Sequence, residues 1–245
     1  MRDPVLRRWF AVGAFLLVAC PAGAADLSTS AYTSLWSRYM WRGLRCSSGA
    51  VIQSNVSVEY AGFSGSLWTN YDLRKGKLNE IDPTIAYAWK WGGADLSAGW
   101  SHYFLMHTAD NDEVYASATM SDWFLSPSLT CYWDLDLGKG LYWQAGLAHG
   151  FVLNPQVTFN LSATAGYVVQ NRYVGVNAEG KEFADWFTGD VIAALPIAVS
   201  SRVTIEPRLG YSFPLSRQAR EVIRGYGYGT NTCTLYGALV VSVTF

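Results

Sequence analysis

The segment Leu235-Tyr236-Gly237-Ala238-Leu239-Val240-Val241-Ser242-Val243-Thr244-Phe245 decides the fold. Leu235, Leu239, Val241, Val243 and Phe245 fall on one face of a strand, and Tyr236, Ser242 and Thr244 on the other. That is the period-2 pattern of an extended chain with one apolar side. The strand runs into a final aromatic residue, with apolar residues two and four places before it.

Such a strand resembles the closing strand of bacterial outer-membrane β-barrels, in which the terminal aromatic is part of the signal read by the barrel-insertion machinery. The resemblance implies that Phe245, Val243 and Val241 carry that signal here. The other end agrees. Arg7 and Arg8 precede a short apolar run, Trp9 to Ala19, and Ala22-Gly23-Ala24 is a small-residue cleavage site. The expected organisation is a signal peptide over 1–24 and one barrel domain over 25–245. Leu17-Val18-Ala19-Cys20 resembles a lipobox, so lipidation at Cys20 is an alternative to cleavage after Ala24. Both routes export the chain.

Composition narrows the class. Of 245 residues, 15% are charged and 15% aromatic, where a soluble domain carries about 25% charge. The net charge of -1 argues against nucleic acid as a partner. Past the signal, the longest apolar run, Val191 to Val199, contains Pro196 and is about half the ~20 residues a spanning helix needs. A membrane protein without spanning helices must be a closed barrel, because every backbone polar group has to be paired inside the bilayer.

The mature chain reads as about twelve alternating segments of some ten residues. The first is Ala31–Arg42, the second Val51–Tyr60 and the third Phe63–Asp72. Short turns near Ala61-Gly62, Gly92-Gly93, Ser121-Asp122, Asn154-Pro155 and Ser200-Ser201 alternate with longer connections over 43–50, 73–80, 106–112, 170–182 and 214–229. Short periplasmic turns and long outer loops are the barrel pattern. Aromatics such as Tyr60, Trp89, Trp91, Trp123, Trp133 and Tyr211 gather near strand ends, as an interfacial girdle should. A secreted β-sandwich shares the alternation. Its apolar face would not collect Trp and Tyr at strand ends, and its other face would be less uniformly Ser, Thr, Asn, Gln and Gly. The expected fold is therefore an all-β, transmembrane, antiparallel up-and-down barrel in the outer membrane of a Gram-negative cell, with lipid and lipopolysaccharide around it.

Ser34-Leu35-Trp36-Ser37-Arg38-Tyr39-Met40-Trp41-Arg42-Gly43, then Gln53, then Ala61-Gly62-Phe63-Ser64-Gly65-Ser66-Leu67-Trp68-Thr69-Asn70, resembles the opening of the TorF-type porin family. That family begins with a strand ending in an aromatic-x-Arg-Gly turn, followed by a hairpin with a Gly-Phe turn and a Trp-x-Asn strand. Leu44-Arg45-Cys46 departs from the polar run usual there. The resemblance covers residues 34–70 and implies a barrel able to serve as a pore.

Charged residues on the non-lipid face are the candidate pore lining: Arg38, Arg42, Glu59, Lys90, Glu113, Arg202, Glu206 and Arg208. An Arg or Lys facing lipid at mid-bilayer costs about 2–4 kcal/mol, so these groups face inward. An Arg38–Glu206–Arg208 cluster across the closing seam is geometrically allowed. Tyr32, Trp36, Trp68, Tyr103, Tyr115, Tyr132, Tyr142 and Tyr236 point the same way and narrow the lumen. The expected function is a narrow pore for small solutes with a mild anion preference, without cofactor or metal. A closed barrel acting through its outer loops is the alternative, and paired inward charges across a blocked lumen would favour it. A lipid-modifying enzyme would need a His and a nucleophile together at the outer rim. His102 and Ser101 are neighbours on opposite faces. Cys46 and Cys233 fall in or near outer loops, where one disulfide and free thiols are both open.

Overall fold

In the computed structural model, described over residues 27–172, 182, 184–226, 228 and 230–245, the chain is a ring of antiparallel strands. The expected signal peptide, the Ala24 cleavage site and Cys20 lie outside the described residues. The elements in chain order are β1 (Ser28–Trp36), β2 (Met40–Trp41), β3 (Leu44–Arg45), β4 (Val51–Tyr60), β5 (Phe63–Asp72), β6 (Lys77–Trp91), β7 (Ala94–Leu105), β8 (Asn111–Thr119), β9 (Ser128–Asp134), β10 (Leu141–Asn154), β11 (Val157–Val169), β12 (Ala184–Ala194), β13 (Ile197–Ala198), β14 (Val203–Pro214), α1 (Arg217–Gly225) and β15 (Thr234–Thr244).

Twelve of the strands close the barrel. Each pairs with its neighbours, and β15 returns to β1 with Thr33 opposite Val241 and Leu35 opposite Leu239. Closure leaves no unpaired sheet edge for the bilayer to meet. β13 continues the line of β12 after Leu195-Pro196, where the proline lacks the N–H a ladder needs. It pairs with both β11 and β14.

The alternation read in the sequence sets the faces. Leu35, Val56, Leu67, Ile85, Leu129, Leu147, Leu161 and Leu239 form an exposed apolar belt. One girdle of rings lies beside the tight turns, with Phe63 4.6 Å from Tyr87 and Phe151 6.2 Å from Phe159. The other lies at the opposite rim, with Tyr167 5.4 Å from Trp186 and Tyr211 5.7 Å from Phe213. The belt carries a direct prediction. Ile85→Arg, mid-way along β6, should destabilise the barrel by about 2–4 kcal/mol in lipid vesicles. Ser101→Arg, facing inward, should cost far less. Equal denaturation midpoints for the two would refute the lipid-facing assignment.

Turn chemistry follows the same logic. Ala61-Gly62 and Gly92-Gly93 both have positive φ at each residue, as two-residue hairpins require to match the twist of their strands. The structure changes several boundaries. β1 leaves the wall at Trp36, six residues before the expected end, so Arg38 and Arg42 belong to a loop. The turn expected at Ser121-Asp122 spans 120–127, because β8 and β9 are short. The outer turn after β5 is only 73–76, and the loop after β14 contains α1.

Candidate functional site

The loop between Trp36 and Val51 folds into the barrel and closes its outer mouth. Its neck is tied by Ser37 N donating to Gly237 O (2.8 Å), Tyr39 N donating to Ser47 Oγ (2.8 Å) and Cys46 N donating to Tyr39 O (2.9 Å). Beyond the neck, β2 and β3 pair around Arg42-Gly43, with φ of 47° and 77°. This is another turn with left-handed geometry at both residues. The tip reaches β12: a Cβ at Gly43 would overlap the Thr188 methyl, so only glycine fits.

An apolar plug forms around that tip. Leu44 is fully buried against Tyr142, Val168 and Phe187 from the inner wall, and against Ala219 and Ile223 of α1. The helix ends are matched locally: Ser216 Oγ accepts from Ala219 N (3.1 Å) as an N-cap and Arg224 occupies its last turn. Ala219 and Ile223, four apart, give it one buried face, while Arg217, Arg220 and Glu221 remain exposed.

One ion pair fastens the plug. Arg42 Nη1 and Nη2 donate to Glu113 Oε2 and Oε1 at 2.8 and 2.9 Å. The side chains are 7% and 3% exposed. The guanidinium also lies over the rings of Tyr132 (4.3 Å), Tyr142 (4.5 Å) and Trp41 (4.7 Å), and Tyr103 donates its hydroxyl to Glu113 Oε1 at 2.9 Å. Burial works against the Arg42 charge, but the adjacent Glu113 carboxylate outweighs it and raises its affinity for its proton. On the far side of the plug, Tyr39 donates to Glu80 Oε1 (3.2 Å) and packs on Trp68 with centroids 5.6 Å apart. Burial, with Glu80 adding to it, pushes the Tyr39 hydroxyl and the Cys46 thiol well above their ordinary values.

The inward face therefore has two regimes. In the outer half, Gln53, Asn70, Asn111, Glu113, Tyr142 and Thr188 are buried. In the periplasmic half the same face carries Ser57, Ser66, Thr84, Ser97 and Ser117, all part-exposed. The inward face is thus part-exposed toward the turns and buried under the loop toward the outside.

The expected pore-lining residues separate accordingly. Arg42 and Glu113 meet in the plug. Arg208 pairs with Glu206 on its own strand, and the three-way cluster that the seam allowed does not form: Arg38 stands beyond β1 without an ion pair among the described residues. Lys90 pairs with Asp95 at 3.0 Å on the turn-side rim, where Glu59 and Arg202 are also exposed. Cys46 is half-buried against the plug, Cys233 is exposed, and both are free thiols. The plug residues Tyr39, Trp41 and Leu44, and the helix residue Ile223, were not anticipated. The Arg42-Gly43 turn was the one signal in the sequence.

Ser101 Oγ lies 2.8 Å from Thr84 Oγ1 inside the lumen. His102 faces outward, with Nδ1 2.9 Å from Asp112 Oδ1 and its ring 4.2 Å from Phe104. The neighbouring serine therefore does not join the histidine. Among the described residues no cluster of three or more His, Cys, Asp or Glu is placed to hold a metal ion.

These faces define a transmembrane antiparallel β-barrel with an inwardly folded outer loop. Among solved structures, the chain is similar to the NanC porin, at 14% identity over 89% of this chain and 99% of that one, with a TM-score of 0.51. It is also similar to an outer-membrane channel from Pseudomonas putida F1, at 10% identity over 93% and 97%, TM-score 0.47. At this identity, the likeness to the porin shows the barrel fold alone. No protein-family model and no curated protein matches the chain, so the TorF-type resemblance gains no support from them.

Proposed function

We propose that this chain is a narrow outer-membrane pore for small solutes whose outer mouth is closed by a releasable plug. The observation that carries the reading is the contrast along one inward face: small and half-exposed toward the turns, buried under the 37–50 loop toward the outside. A purely structural barrel would have no need of a solvated half-lumen. Twelve strands enclose a bore between the filled eight-stranded barrels and the aqueous channels of 16–18 strands, so one loop suffices to stop it. Insertion would use the terminal Phe245, Val243 and Val241 face, and lipopolysaccharide would surround the outer girdle.

The mild anion preference rests on which charges are already engaged. Glu113 accepts from Arg42, Glu80 from Tyr39, and Glu206 from Arg208. Asp190 accepts from Tyr236 (3.2 Å), and Asp134 accepts from Asp136 N and Gly138 N. Arg38 and Arg45 have no acidic partner within ion-pair distance among the described residues, and they stand where a solute would enter. Unpaired arginines at a constriction favour anions.

Planar-bilayer recording of the refolded protein across a salt gradient tests this. Rare discrete openings with an anion-selective reversal potential are expected, with the potential moving toward zero in Arg38→Gln/Arg45→Gln. A heat-modifiable barrel that stays silent, even with the plug released by Glu113→Ala, would leave the closed structural barrel as the reading. The seated plug itself favours that second reading until openings are seen.

A further inference from the structure

Above the plug lies a half-open cavity of about 390 Å³, large enough for a small organic molecule. Trp41, Tyr103, Tyr226 and Tyr228 contribute to its walls, with Arg45 and Lys75 among them. Three elements assemble it: the β2–β3 hairpin, the outer ends of β6 and β7, and the chain following α1. Arg45 Nε is buried and has no hydrogen-bond partner. Arg45 as a whole is only part-buried and has no acidic partner within ion-pair distance among the described residues, so its terminal guanidinium N–H groups can meet an acceptor in the cavity. Lys75 is held over the Tyr228 ring at 5.2 Å and donates to its hydroxyl at 2.6 Å. Glu80 also lines the cavity, but it is only 7% exposed and turned onto Tyr39. Asp72, which is 4.0 Å from Lys75, is buried and caps its own turn by accepting from Arg74 N and Lys75 N. The accessible charge of the cavity is thus positive, and its accessible surface is aromatic.

We propose that this vestibule is a binding site for a small ring-bearing carboxylate, with the carboxylate on Arg45 and its ring among the tyrosines. As the entry site for a transported solute, the proposal rests on the pore reading; as a binding site it does not. Two features set the ligand class. A part-exposed guanidinium with no acidic partner selects a carboxylate oxygen by a charge-assisted bond. Aromatic walls reward a planar or cyclic body over a bare ion.

The test is a titration of the refolded, heat-modifiable protein in detergent, followed by Trp fluorescence and calorimetry. Benzoate carries both ring and charge, benzyl alcohol the ring alone, and acetate the charge alone. Benzoate should bind at least about tenfold more tightly than either, since one charge-assisted hydrogen bond supplies that factor. Arg45→Gln should lose about that factor, Lys75→Gln part of it, and Arg208→Gln, paired with Glu206 on β14 and away from the cavity lining, nothing. If Arg45→Gln fails to fold, Lys75→Gln carries the test. Equal affinity for benzoate and benzyl alcohol, or unchanged benzoate binding in both variants, would overturn the site. Because binding is read without current, a silent barrel that binds benzoate removes only the pore, and a conducting barrel that ignores benzoate removes only the vestibule.

Discussion

Glu113→Ala opens the outer mouth. Arg42 would be left in the plug with its charge uncompensated, and breaking a buried ion pair from one side costs about 3–5 kcal/mol, against 1 or less for a surface pair. At about 1.4 kcal/mol per factor of ten, the balance between seated and released plug shifts by roughly 10²–10⁴. The three rings around Arg42 do not substitute for the carboxylate, because each cation–π contact is worth about 0.5–2 kcal/mol and was present before. Release should appear as a large rise in open probability and as trypsin cleavage at Arg42 and Arg45 in the otherwise resistant barrel. The double replacement Arg42→Met/Glu113→Leu should stay closed, since an apolar pair of similar volume replaces a buried ion pair at little cost. A closed single variant, or an open double variant, would show that the ion pair is not the fastener.

The wall was legible because period 2 leaves little freedom. With one face committed to lipid, a one-residue slip would bury every Leu and Val of the belt and expose every Ser and Thr. The lumen side of Glu113, Tyr132, Tyr142 and Arg208 could therefore be assigned from spacing alone. The plug was not legible for the same reason. Alternation continues from Trp36 through Arg38 to Arg42, and a pattern of faces does not say where a strand leaves its neighbours. What ends β1 is pairing: Trp36 is opposite Val51, after which the loop turns inward and bonds to itself. The helix was hidden differently. Arg217–Gly225 offers only Ala219, Val222 and Ile223 as apolar residues, and it exists because Leu44 and Phe187 are there to receive them. Its stability is tertiary, which a local reading does not contain.

The largest effect expected is from removing the plug outright. Trp36 and Val51 are opposite each other in the β1–β4 register, so residues 37–50 can be replaced by Asn-Gly, the preferred two-residue hairpin. The barrel wall loses no strand. The shortened chain should conduct continuously, and its reversal potential should change sign. Arg38, Arg42 and Arg45 all reside on the excised loop. What remains on the inward wall of the outer half is acidic: Glu80 and Glu113 lose their Tyr39 and Arg42 partners, Asp82 lies on the same face, Asp190 lies below them, and Arg208 stays paired with Glu206. A ring of carboxylates prefers cations. The sign is the sharper part of this prediction, because any loop deletion in a hollow barrel would raise conductance. An anion-selective open pore after excision would place the selectivity on the wall, at Arg208, Arg202 and Lys90. A cation-selective one would place it on the plug, making a single loop both the stopper and the filter of this barrel.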